Sequence, residues 1–127
     1  MYVLYGAGYP SYTALELLRA GTTKPVKLET FGGFSEEVAG DTISAGPNGR
    51  LWVTWLDGDG TPPRLFVRAS GATGLSFGKT AQVGLPAGTT NVNKVYTSAR
   101  AGKLDVVALL TRHGKTAYWA TQVPLPK

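Results

Sequence analysis

One feature constrains this chain more than any other. Short strand-like runs return in the same order about every 50 residues, the signature of a stacked repeat. Tyr2-Val3-Leu4-Tyr5 matches Trp52-Val53-Thr54-Trp55 at an offset of 50, and Leu18-Arg19-Ala20 matches Val67-Arg68-Ala69 at an offset of 49. Gly49-Arg50-Leu51 then matches Gly102-Lys103-Leu104 at an offset of 53.

The runs themselves read as strands, each bounded by Gly, Pro, Asn or Asp. They are Tyr2–Ala7, Ala14–Ala20, Pro25–Thr30, Asp41–Gly46 and Leu51–Asp57, followed by Arg64–Ser70, Lys79–Leu85, Lys94–Ala99, Leu104–Thr111 and Thr116–Val123. Thr13–Ala20 would also suit a helix, given Leu15, Leu17, Leu18 and the charges among them. Eight residues are marginal for an isolated helix, and the repeat assigns the segment to a strand. Asn48-Gly49 between two apolar runs predicts a tight type I′ hairpin turn, and Ala101-Gly102 occupies the same place between the eighth and ninth strands.

Four strands per unit, at ~40–50 residues, is the pattern of β-propeller blades. The first unit lacks its innermost strand, because Tyr2–Ala7 corresponds to the second strand of the middle unit. The middle unit has all four, and the third ends after its third strand. The expected fold is therefore all-β: four-stranded antiparallel blades of a β-propeller, about 2.5–3 per chain and completed by oligomerisation. The chain reads as a single propeller fragment over residues 1–127, with a partial blade over 1–40, a full one over 41–90 and a partial one over 91–127.

Composition narrows the function. The 127 residues hold no cysteine, which removes disulfides, thiolate metal sites and cysteine nucleophiles together. No apolar stretch approaches the ~18–20 residues of a membrane helix, so no membrane partner is expected. Met1-Tyr2-Val3-Leu4-Tyr5-Gly6 has no basic region before an apolar run and does not read as a signal peptide. A net charge of +5 could suit nucleic acid, but the thirteen Lys and Arg are scattered singly, with no basic tract interleaved with aromatics. Nucleic acid is therefore not an expected partner. No cofactor is expected, since no Gly-rich stretch has the strand–loop–helix setting of a phosphate loop.

The middle unit carries a resemblance to a family. Asp41-Thr42-Ile43-Ser44-Ala45-Gly46-Pro47-Asn48-Gly49-Arg50-Leu51-Trp52-Val53-Thr54-Trp55 runs on to Arg64-Leu65-Phe66-Val67-Arg68-Ala69-Ser70 and Gly71-Ala72-Thr73-Gly74-Leu75-Ser76-Phe77-Gly78. This resembles a blade of the sialidase-like, bacterial-neuraminidase-repeat propellers, whose Asp-box (Ser-x-Asp-x-Gly-x-Thr-Trp) joins the third and fourth strands. Ser70, Gly74, Ser76 and Phe77 fall on box positions, with Ala72 where the Asp would stand. The box in that family is a folding turn, so the resemblance implies a fold and a structural role for these four residues. It also implies the C-terminal half of a longer propeller, with a parent outside the cell.

Sialidases use an arginine triad, a Tyr–Glu nucleophile pair and an Asp acid/base. The family's early Arg-Ile-Pro motif and acid/base region have no counterpart here. Arg19 and Arg68 read as repeat-equivalent, which suits structure better than a triad. Tyr96 and Tyr118 are nucleophile candidates by residue type alone, and no catalytic residue is assigned.

Ligands of such propellers bind over the loops joining strands two to three and successive blades. Those loops are Gly8–Tyr12, Asp57–Pro63, Arg112–Lys115, Phe31–Gly40 and Pro86–Asn93. They offer Tyr9, Tyr12, Phe34, Glu36, Glu37, Asp57, Asp59, Arg112 and His113. Of these, Tyr9, Tyr12, Asp57, Asp59, Arg112 and His113 are the candidate ligand residues, since aromatics beside charged groups can hold a sugar by stacking and hydroxyl hydrogen bonds. Asp57-Gly58-Asp59-Gly60 reads as a turn and not a calcium loop, which needs six to eight oxygens. His113 is the single histidine, so no metal site is expected. Trp52, Trp55 and Trp119 are expected to pack between blades.

Two functions follow. The leading one is a non-catalytic propeller fragment that assembles with itself, most simply as a dimer, and binds carbohydrate on the assembled face. The alternative is a glycoside hydrolase fragment whose site needs missing blades or a second chain. A purely structural or designed symmetric scaffold is the third class.

Overall fold

A computed structural model describes residues 1–8, 12–35, 41–57, 62–72 and 76–125. Ten strands follow one another: β1 (Tyr2–Ala7), β2 (Tyr12–Arg19), β3 (Val26–Ser35), β4 (Thr42–Ala45), β5 (Leu51–Asp57), β6 (Arg64–Ala69), β7 (Ala81–Val83), β8 (Thr89–Arg100), β9 (Lys103–Arg112) and β10 (Lys115–Pro124). Each predicted run is a strand, Thr13–Ala20 included, and no helix occurs among the described residues. Sequence-based edges differ most at β8, which starts at Thr89 and not Lys94, and at β3, which runs to Ser35. Part of the Phe31–Gly40 and Pro86–Asn93 segments expected as loops is therefore strand.

The strands form three antiparallel sheets: β1-β2-β3, β4-β5-β6-β7 and β8-β9-β10 in spatial order. All neighbours are consecutive in sequence, so every connection is local. The middle sheet lies between the other two, and β5 shows why. Six of its seven residues are buried, a pattern that a strand acquires only when both faces of its sheet are covered. Leu51, Val53 and Trp55 pack with Leu15, Leu17 and Leu28 of the first sheet. Trp52 and Leu56 turn the other way, toward Leu104, Val106, Ala108 and Leu110 of the third. Alternation along a strand thus distributes one apolar run between two cores.

Hydroxyls stitch the second junction at its β4–β8 edge. Thr97 Oγ1 donates to Thr42 Oγ1 at 2.9 Å. A hydroxyl has one proton, so Ser44 is the donor in its 2.7 Å contact with Thr97. Thr42 Oγ1 also shares a hydrogen bond with Thr54 Oγ1 at 2.6 Å. The result is a hydroxyl chain, directed from Ser44 to Thr97 to Thr42 and continued to Thr54, crossing from β4 to β8 and back.

Register corrects one expectation. Tyr2 pairs with Arg19 in the first sheet, while its counterpart Trp52 pairs with Ala69 in the second. Arg19 is therefore the counterpart of Ala69, and Arg68 that of Leu18. A slip of one residue moves a side chain to the opposite face, so Arg19 and Arg68 are not equivalent.

Turn chemistry corrects another. Gly46 O accepts from Gly49 N–H at 3.1 Å, so Pro47 and Asn48 are the central pair. Neither has positive φ, whereas Gly49 stands at 80°. That is a type I turn followed by a left-handed glycine, not the predicted type I′. The Ala101-Gly102 pair has positive φ at Gly102 alone. Both positions are left-handed at His113 (49°) and Gly114 (76°), between the paired Arg112 and Lys115. This is where the type I′ geometry occurs.

Candidate functional site

The β9–β10 turn brings together Arg112 and His113, two of the four candidate ligand residues among the described residues. A cleft of about 430 Å3 is lined by Leu110, Arg112, His113, Lys115, Ala117, Tyr118 and Trp119, within the size range of small-molecule sites. Both Nε and Nη2 of Arg112 donate to Ala87 O, at 3.1 and 2.9 Å. This fork ties the β7–β8 connection to the end of β9. His113 stands against Gly88, where a Cβ would come within 2.5 Å of the ring. Three basic side chains, the Tyr118 phenol and the half-buried Trp119 indole thus border one cleft. None of the described residues lining it is Asp or Glu.

Asp57 is engaged elsewhere. It forms an ion pair with Arg64 across β5 and β6, and the same guanidinium lies 5.6 Å from the Phe66 ring centroid. Tyr12 opens β2, opposite Ser35. Tyr9, Asp59, Glu36, Glu37 and Gly74 lie outside the described residues. No cluster of three or more His, Asp or Glu able to hold a metal occurs among the described residues.

The described residues at the two ends of the Asp-box-like segment, Ser70–Gly71 and Ser76–Gly78, are hydrogen-bonded together into one turn base. Ser70 is buried and bridges to Phe77. Its Oγ accepts from Leu51 N–H at 2.8 Å and donates to Gly71 O at 2.7 Å. Gly71 N–H donates to Ser76 O and Gly78 N–H to Ala69 O, each at 2.9 Å. Arg68 then fastens this turn to the first sheet, donating to Gly78 O at 2.8 Å and to Leu28 O in β3. Its guanidinium carbon is 5.9 Å from the Phe77 ring centroid.

Sequence reasoning missed a second cleft, of about 430 Å3, at the β2–β3 turn of the first sheet. Tyr2, Leu17, Arg19, Gly21, Thr22, Thr23, Lys24 and Val26 line it. Only the turn residues Gly21 to Lys24 signalled it locally, because its apolar wall comes from Tyr2, Leu17 and Val26 on three different strands.

Tyr96 and Tyr118, the nucleophile types, stand on the outward face of the third sheet, 50% and 68% exposed. The face is polar at both ends around them, with Asn93, Thr111 and Thr116 at one and Arg100, Asp105 and Gln122 at the other. Gln122 Nε2 donates to Asp105 Oδ1 at 2.8 Å. That hydrogen bond, with the Arg100 guanidinium paired to the other oxygen, holds the Asp105 carboxyl below its ordinary pKa against the opposing effect of desolvation.

The chain matches no protein-family model, no curated protein and no solved structure.

Proposed function

We propose that this chain is a non-catalytic, blade-type β-sheet module that assembles with itself through its open sheet faces and presents the β9–β10 cleft to carbohydrate. The observation that supports assembly is the contrast between the middle sheet and its neighbours. The middle sheet is covered on both faces, while the outward faces of the two end sheets leave Val3, Tyr96, Val107 and Tyr118 exposed. Large apolar patches on an outward face mark interaction surfaces.

The composition of the cleft supports binding without turnover. Glycoside hydrolysis ordinarily uses two carboxyl groups about 5–9.5 Å apart, and the described lining supplies basic and aromatic groups instead. Arginine and lysine suit an anionic saccharide, and the indole suits the apolar face of a sugar ring. The expected result is saccharide binding, detected by a change in tryptophan fluorescence, with no release of dye from fluorogenic glycosides, sialosides included. Dye release that stops in Arg112→Ala or Tyr118→Phe would establish the hydrolase reading instead.

A further inference from the structure

The three sheets share one polarity. The face that the first sheet turns toward the second carries Tyr2, Leu4, Leu15 and Leu17. An offset of 50 maps these onto Trp52, Thr54, Leu65 and Val67, the face that the second sheet turns toward the third. An offset of 53 then maps Thr54 onto Val107, Leu56 onto Leu109, Leu65 onto Tyr118 and Val67 onto Ala120, all on the outward face of the third sheet. Thr54 and Leu65 are 0% exposed, whereas Val107 and Tyr118 are 37% and 68% exposed.

The rear faces obey the same rule. Val53 and Val106 are each 0% exposed against the preceding sheet, and their counterpart Val3, on the outward face of the first sheet, is 49% exposed. The chain therefore ends in two different faces. One is a front with no following sheet, and the other is a rear with no preceding one.

Building on the self-assembly reading, we infer that the front of the β8–β10 sheet docks on the rear of the β1–β3 sheet of a second copy, and that two copies close head to tail through two such contacts. The occupant continues an interface that the chain already makes twice within itself. Charge favours this pairing over front on front. Arg100 and Asp105 neutralise each other on the front, which leaves Lys94, in register with Leu109, and Lys103, in register with Arg100, as its uncompensated charges. Front on front would bring such lysines together. The rear instead presents Glu16 in register with Lys27, with the Tyr5 hydroxyl donating to Glu16 at 2.8 Å.

Area requires closure. Three strands at ~4.8 Å spacing and ~34 Å length present roughly 490 Å2 in projection, so one contact buries about 1,000 Å2 over both partners. That falls below the ~1,200–2,000 Å2 of stable interfaces, whereas two contacts reach it.

The test uses one front variant, Tyr118→Lys, and one rear variant, Val3→Glu, both at exposed positions. Solution mass and circular dichroism are measured for each alone and for an equimolar mixture. Each variant alone is expected to keep the wild-type spectrum and to dissociate at least about tenfold more readily, because a new charge is desolvated in both contacts. The mixture is expected to regain a two-chain species, since it restores one unaltered contact and sets Lys against Glu in the other. If the variants unfold, Tyr96→Lys and Leu18→Gln replace them. A dimer that only front variants weaken would overturn the polarity and leave self-assembly standing. A dimer unchanged by either class would do the same. A wild-type monomer at every concentration would overturn both.

Discussion

Trp52→Ala is expected to remove about 3–5 kcal/mol of stability, the range for truncating a fully buried tryptophan. Trp52 is 0% exposed and joins Leu65 and Val67 of its own sheet to Leu104 and Val106 of the third. Its indole N–H has no hydrogen-bond partner among the described residues, so the loss is one of packing. Trp52→Phe, which keeps most of the volume and removes that N–H, is expected to cost about 1 kcal/mol or less. Domains are stable by only ~5–15 kcal/mol, so the alanine variant sits close to its unfolding threshold. Urea denaturation reads the effect as a lower midpoint at unchanged slope. A Trp52→Ala midpoint within error of wild type would mean that the second and third sheets are not packed through this residue.

Arg68→Ala is expected to cost about 2–3 kcal/mol, the upper range for hydrogen bonds made by a charged group, because one guanidinium serves two sheets. It donates to carbonyls at Leu28, Gly78 and Phe77. Arg68→Lys keeps the charge and loses the planar fork, so most of the loss should remain. Local opening should follow, with faster hydrogen exchange at Gly71 and Gly78, whose N–H groups close the Asp-box-like turn. Arg68→Lys with wild-type stability would show that charge alone suffices and that the fork is incidental.

The ten strands were legible because Gly, Pro, Asn and Asp punctuate them, and because β pairing here is entirely local. The grouping into three, four and three strands was legible from the repeat. Exact register was not. The shared Leu/Val-Arg-Ala triplet suggested that Arg19 and Arg68 are equivalent, but the pairing of Tyr2 with Arg19 and Trp52 with Ala69 decides the face. A sequence match that is one residue out is invisible until the partner strand is known.

Asn48-Gly49 is a strong hairpin signal, yet the loop closes one residue earlier, on Pro47-Asn48. His113, a residue that seldom takes positive φ, holds the turn that Asn48 was expected to make. At the candidate site, Arg112 and His113 do border one cleft. Lys115 shares their predicted loop, whereas Trp119 joined them only through the β9–β10 pairing, which no linear motif announced. Asp57 was visible as a carboxylate, but its engagement with Arg64 depends on the register of β5 and β6.

Static light scattering across a dilution series of about 1–100 µM tests the central claim most directly. The predicted result is a mass near 27 kDa, twice the 13.4 kDa of one chain, falling toward the single-chain value only at the greatest dilution. A constant 13.4 kDa from a folded chain at every concentration would contradict it.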